Sequence, residues 1–262
     1  MARQRMGQHF LGDAAWRHRI FRILSPPANE TWIEIGAGHG EMTHLLAADG
    51  RRVVAIEADP PLAEDLQEKV RSHPREWPMV EIVSRDVLTV DFRELANGNF
   101  HVYGNLPYYI TSPILRHLFE YADQIFSLHI VIQLEVAERI VAQPGRREYG
   151  YLSALCQYYA NPTIVLRIPP GAFRPPPQVQ SALVRMTMPG QRATVSVGDD
   201  KQFLQFIQGC FEQKRKTLRN NLKQLAPDRK IQEALEESGL RPDSRAEQLT
   251  LGQFASLFAS LT

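Results

Sequence analysis

The chain has little cysteine, no long apolar run and almost no net charge, and each shortage removes a class of protein. Two cysteines, Cys156 and Cys210, stand singly inside apolar helical patterns, too few and too poorly flanked for a disulfide framework or a zinc site. Both read as packing residues, and no metal is expected. No stretch approaches the roughly 20 apolar residues of a bilayer-spanning helix, and the opening "MARQRMGQHFLGD" lacks the apolar core of a secretory signal. A cytoplasmic monomer is the expectation. The formal net charge of +1 carries no argument for a polyanionic partner, so local clusters must carry it. Internal repeats and low-complexity tracts are missing too.

What is present suits a full core: 262 residues, 44% hydrophobic, are enough for one large domain and a smaller one. From Thr31 to Glu135 the β-rich runs "TWIEI", "VVAIE", "VEIVS", "HVYGN" and "SLHIVIQLE" alternate with amphipathic stretches such as "EMTHLLAAD" and "PPLAEDLQEKV". That alternation predicts an α/β fold with a parallel, doubly wound sheet. A helix is predicted over "YGYLSALCQYYA", and strands near "TIVLRI" and "SALVRMTM"; the proline block "PPGAFRPPPQV" between those strands forbids a helix. Three or four helices follow the turn-rich "PGQRATVSVGDD". The boundary is placed near Pro189, giving a sheet domain of residues 1–189 and a helical domain of residues 190–262.

In "EIGAGHGEM", Gly36, Gly38 and Gly40 come directly after the first strand and before a helix. Glycine lets backbone turn sharply and approach a ligand, and a helix N-terminus offers free N–H groups, so a nucleotide-like ligand is implied. A dinucleotide fingerprint would want a small residue where Glu41 stands. Glu57 closes the second strand, where a carboxylate can accept both ribose hydroxyls, and Asp86 closes the third. Singly, these residues also read as a tight turn, a solvated strand end and a helix cap. His39 reads as an exposed loop residue.

The fourth strand runs into "YGNLPYYITSP", from Tyr103 to Pro113. An adenine amine is a weak nucleophile because its lone pair is delocalised into the ring. Two oxygens that each accept one of its N–H groups would localise that pair. The Asn105 side chain and the Leu106 carbonyl could supply them, with Pro107 stiffening the turn and Tyr108 stacking on the base. By themselves the same residues read as a proline turn with two core tyrosines. Tyr109 receives no role.

The glycine loop resembles the E-x-G-x-G-x-G loop of S-adenosylmethionine-dependent methyltransferases, and Asp86 falls where such enzymes receive the cofactor's adenine amine. Taken with "GQHFL", "NLPYYITSPIL", "YGYLS", "AFRPPPQVQSALVRM" and "CFEQKRKTLRNNL", the chain resembles the small-subunit ribosomal RNA adenine dimethyltransferases over nearly its whole length. The resemblance implies a Rossmann-like class I methyltransferase sheet and S-adenosyl-L-methionine as cofactor. It implies transfer of two methyl groups to N6 of each of two adjacent adenosines, in a hairpin loop near the 3′ end of small-subunit RNA. Further, it implies cofactor contacts from His9, Leu11, Gly36, Gly38, Glu57, Asp86 and Asn105; because an adenine pocket alone selects no site in cellular RNA, the expected partner is small-subunit RNA in a pre-assembled particle. Phe173 would face Tyr108 across the target base.

"KRKTLRNNLK" holds Lys214, Arg215, Lys216, Arg219 and Lys223 without an acid. Read as a helix, it places Leu218, Leu222 and Leu225 on one face and Arg215, Lys216, Arg219 and Lys223 in a neighbouring stripe suited to an RNA backbone. Arg3, Arg5, Arg17, Arg19 and Arg22 add positive charge near the start. Three rivals stand beside this reading: a large-subunit RNA adenine dimethyltransferase of the antibiotic-resistance type, a protein-glutamine methyltransferase, and an assembly or transcription factor that only binds. Leu106 and the basic block favour the small-subunit reading.

Overall fold

The computed structural model describes residues 9–107, 109–213 and 216–261. Helix α1 (Ala14–Leu24) starts where the Asp13 carboxylate accepts the N–H groups of Ala15 and Trp16, at 2.8 and 3.2 Å. Strands β1 (Thr31–Ile35), β2 (Val53–Glu57), β3 (Val80–Ser84), β4 (Phe100–Asn105) and β5 (Ile125–Gln133) then alternate with α2 (Glu41–Ala47), α3 (Pro60–Ser72), α4 (Phe92–Leu95) and α5 (Thr111–Phe119). Helices α6 (Leu134–Val141) and α7 (Tyr151–Tyr159) precede β6 (Asn161–Ile168) and β7 (Ser181–Thr187). Four helices close the chain: α8 (Asp200–Cys210), α9 (Leu218–Leu222), α10 (Asp228–Glu237) and α11 (Leu251–Leu261).

The sheet has the order β3-β2-β1-β4-β5-β7-β6. Its first five strands are parallel, while β7 runs antiparallel to β5 with Leu183 opposite Val131. The sheet is therefore mixed. Every residue of β2 is buried, as expected of a parallel strand covered on both faces. The strand order reverses between β1 and β4, which opens a crevice at their carboxyl ends.

The chain divides into two compact units, one of residues 1–137 and 162–188, the other of residues 138–161 and 189–262. The second unit takes α7 together with the residues from Pro189 onward. The reason lies in side chains. Gln157 donates to the carbonyls of Ile140 and Ala142 (3.1 and 2.8 Å), and the Tyr158 hydroxyl donates to Asp200 at 2.6 Å. The Tyr158 ring lies 5.4 Å from that of Phe203. Such partners cannot be read from helical periodicity.

Cys156 and Cys210 are buried and free, and burial pushes both thiols up. Among the described residues no helix is long and apolar enough to cross a membrane, and no group of His, Cys, Asp and Glu is arranged to hold a metal ion.

Near the amino ends of β1, β4 and β5 lies a buried polar chain. Glu30 contacts His101, whose Nδ1 is 2.7 Å from the Ser127 hydroxyl, and that hydroxyl is 3.0 Å from His129 Nε2. Trp32 stacks on His101 at 4.8 Å. Burial, with the charges of His101 and Arg185, pushes His129 down to about 3. Its folded-state value thus lies below the ordinary histidine value of about 6.5, so the folded form resists protonation. The stabilisation is full above about pH 6.5 and is lost as pH falls from there toward 3. Denaturant melts between pH 7 and 4 should show stability falling by up to about 1.4 kcal/mol per pH unit from this group. His129→Gln should flatten that slope; an unchanged slope would remove His129 as its source.

Candidate active site

The carboxyl ends of β1 to β4 frame one cavity of about 150 Å³. Gly36 follows β1, Glu57 ends β2, Asp86 follows β3 and Asn105 ends β4, and all four line it. Leu106, Pro107, Ile110 and Ile114 form an apolar wall, with Phe10 and His9 from the N-terminal segment also lining it.

Glu57 is buried and already accepts two backbone donors. Gly38 N–H donates to one oxygen at 2.8 Å and Asp59 N–H to the other at 2.9 Å. An ionised carboxylate has about four acceptor positions, so one on each oxygen remains for a diol. Gly38 owes its identity to its backbone and to Phe10: its φ is +56°, and a Cβ there would lie 2.8 Å from the Phe10 ring. Gly36, at φ +73°, turns the chain off β1 in a conformation that side chains resist. Asp86 accepts the Leu88 N–H at 3.0 Å through Oδ1, so it caps the turn after β3 and lines the cavity as well.

Asn105 is fixed by the chain's first described residues. Its Nδ2 donates to the His9 carbonyl at 2.8 Å, which turns Oδ1, the acceptor, away from that bond. His9 is held in turn, with Nδ1 2.7 Å from the Pro175 carbonyl. Phe10 and Arg174 exchange two backbone hydrogen bonds, at 3.0 and 2.8 Å, in an antiparallel bridge. Next along, the Leu106 carbonyl has no donor among the described residues, while the Pro107 carbonyl accepts Ile110 N–H and the Thr111 hydroxyl, both at 3.2 Å. Two acceptors, Asn105 Oδ1 and Leu106 O, thus come from consecutive residues.

Glu34 lies beneath the loop, buried in β1 opposite Tyr103. Burial, with the carboxylates of Glu41 and Glu57 adding to it, pushes its carboxyl up to about 8. It is a neutral acid at pH 7. Sequence reading passed over it, along with Phe10, Ile110 and Ile114; the spacing of the two isoleucines at the start of α5 was the available signal.

Three expectations change here. Phe173 is fully buried in the core with Trp32, Tyr103 and Leu183 rather than at the cavity wall. Leu11 points into the same core, and its carbonyl accepts the Arg17 guanidinium at 2.7 Å, so it does not line the cavity. Gly38 stays off the cavity wall and acts by holding Glu57. Tyr108 lies outside the described residues.

A family model for ribosomal RNA adenine dimethylases matches residues 1–262. The chain belongs to the ribosomal RNA adenine dimethylase family. It is 40% identical to a protein named ribosomal RNA small subunit methyltransferase A of Xanthomonas euvesicatoria, over 98% of this chain and 95% of that one. The protein of the same name in Acinetobacter baylyi is 38% identical, over 98% and 91%. Among solved structures, a 23S rRNA methyltransferase, ErmE, matches with TM-score 0.71 and 26% identity over 96% of this chain and 99% of that one. A dimethyladenosine transferase from Plasmodium falciparum gives TM-score 0.82 at 21% identity over 96% of each chain, a likeness of fold. The fold expected of this family, a class I methyltransferase sheet, is the one observed.

In the second unit of this dimethylase, the basic block departs from a simple stripe. Thr217 caps α9 through the Asn220 N–H, and the helix is only five residues long. Leu218 and Leu222 are buried, but Leu225 is 53% exposed and leaves that face. Arg219 makes a two-point ion pair with Asp228, through Nε at 3.0 Å and a second, shorter contact, and Lys223 lies 3.9 Å from the same carboxylate. The acid missing from the block is thus supplied by α10. Lys216 is exposed just before α9; Lys214, Arg215, Arg3 and Arg5 lie outside the described residues.

Proposed function

We propose that this dimethylase transfers methyl groups from S-adenosyl-L-methionine to N6 of two adjacent adenosines in a hairpin loop near the 3′ end of small-subunit ribosomal RNA, as an enzyme of small-subunit biogenesis. One observation carries the reading: a single cavity joins the Glu57 and Asp86 carboxylates to the paired acceptors of Asn105 and Leu106. The fit to the cofactor rests on the open acceptor positions of Glu57, suited to a ribose diol, and on the Asp86 carboxylate at the cavity wall, suited to an adenine amine. The cofactor supplies a methyl group on a cationic sulfur.

The protein's part is positioning. Asn105 Oδ1 and the Leu106 carbonyl each accept one N–H of the target amine, so its lone pair is drawn out of the ring and aimed at the cofactor side of the cavity. Pro107 stiffens this geometry. Ile110 and Ile114 keep water from the apolar wall. No base is required, because the alkylated nitrogen is acidic enough to lose its proton to solvent. The Xanthomonas and Acinetobacter relatives, both named for the small subunit, support that substrate over the large-subunit alternative.

The cavity reads only an adenine edge, which occurs throughout cellular RNA, so selectivity needs a further surface. We assign it to the basic block of Arg215, Lys216, Arg219 and Lys223, with Asp228 offsetting part of its charge. A partly assembled small subunit is then the preferred substrate. Methylation of purified particles, protein-free RNA and the short hairpin at equal concentration tests this, with methylated adenosine read by mass spectrometry. Particles should react fastest. Equal rates on all three would remove the particle preference, and no product on any would remove the activity.

A further inference from the structure

One guanidinium of the basic block is already engaged. Arg219 forms a fork with Asp228, Nε at 3.0 Å from one carboxylate oxygen and a terminal nitrogen closer to the other, while Lys223 stands 3.9 Å from the same carboxylate. The fold braces both ends of this fork. Arg219 belongs to α9, seated by buried Leu218 and Leu222 and capped by Thr217; Asp228 opens α10 after Pro227, and buried Ile231, Ala234 and Leu235 seat that helix. The turn between them closes where the N–H groups of Leu225 and Ala226 donate to the Leu222 carbonyl, at 2.8 and 3.1 Å. Hydrogen bonding from Arg219 holds the Asp228 carboxyl below the ordinary carboxylate range, so the acid is ionised at neutral pH. The two side chains are 35% and 48% exposed, which leaves the fork within reach of an RNA phosphate.

We infer that Asp228 is a selectivity residue: it withholds Arg219 from a mobile RNA strand and yields it only to a phosphate that a folded particle holds in place. The inference rests on the proposed RNA substrate and on the basic block as its docking surface. A guanidinium binds carboxylate and phosphate in the same two-point geometry, so the two compete for one set of donors. Asp228 is tethered beside them. A phosphate on a flexible strand must lose freedom to displace it, whereas a phosphate fixed in a folded RNA has lost that freedom already. Binding of a loose strand comes almost wholly from phosphate neutralisation, so withholding one cation weakens it more than the correct complex. Lys223, with its looser contact, serves both.

The test is the salt dependence of binding to purified small-subunit particles and to a protein-free strand of the same RNA, at fixed magnesium. Asp228→Asn should steepen the log-log slope on the strand by about 0.7, one phosphate contact, and raise strand affinity about fivefold at about 0.1 M salt. Its slope on particles should match the wild type, so the preference for particles falls. Arg219→Gln should do the opposite, flattening the slope on particles by about 0.7–0.9 and leaving the strand slope as it was. In the double variant Arg219→Gln/Asp228→Asn the strand slope should return to the wild-type value, which separates release of Arg219 from a general gain in positive charge. Melting curves establish that the variants fold. With Asp228→Asn, slopes that stay unchanged or change equally on both substrates overturn the inference alone, as does a strand slope still steep in the double variant. A wild-type protein that binds particles no more tightly than the strand overturns the proposed particle preference and this inference with it.

Discussion

Asn105→Ala is expected to abolish methyl transfer while leaving RNA affinity nearly unchanged. The substitution removes one of two oxygens that localise the amine's lone pair, and loss of a single positioned polar group in such a site costs about 10²–10³ in kcat. It also leaves the His9 carbonyl without the Asn105 donor, which loosens the N-terminal segment and costs about 1 kcal/mol of stability. Asn105→Asp tests whether the acceptor must be held in place by the His9 bond. It keeps an acceptor but sets a carboxylate oxygen against the His9 carbonyl, so it should also fail in turnover. Single-turnover kinetics beside filter binding of particles is the measurement. Methylation by Asn105→Ala at near the wild-type rate would falsify the lone-pair mechanism.

The second large effect concerns the cofactor. Glu57→Ala should weaken S-adenosyl-L-methionine binding by at least a hundredfold. Two charge-assisted hydrogen bonds to a ribose contribute about 1.5 kcal/mol or more each, and about 1.4 kcal/mol is tenfold in affinity. The variant also strands the Gly38 and Asp59 N–H groups, so the loop loses its anchor along with the ligand. Glu57→Gln should fall between the two, because its amide offers one oxygen while its NH₂ faces a backbone donor. Titration calorimetry on the three proteins gives the answer; equal affinities would mean that the ribose sits elsewhere.

Much of this site could be read in the chain because it is built from strand ends. A parallel sheet puts the last residue of each β-rich run on one edge, so Gly36, Glu57, Asp86 and Asn105 converge once "TWIEI", "VVAIE", "VEIVS" and "HVYGN" are recognised as strands. What could not be read depends on contacts between distant segments. Nothing local distinguishes Phe173 as a core ring from Phe173 as an exposed one, since the prolines after it are compatible with both. Arg219 looks available until α10 brings Asp228 back across the Pro227 turn. The chain from Glu30 through His101 and Ser127 to His129 joins separate strands with no motif between them.

The bond between Asn105 and the His9 carbonyl has a consequence for how the enzyme is made. His9 is itself fastened to Pro175, 166 positions along the chain. A growing polypeptide therefore has its glycine loop, Glu57, Asp86 and Asn105 long before it has the partner that secures its first residues. At roughly 5–20 residues per second, the 70 residues from Asn105 to Pro175 take about 4–14 s, during which the Asn105 amide has no fixed orientation. Catalytic competence is thus a late event in synthesis, reached only when the two ends of the sheet unit meet.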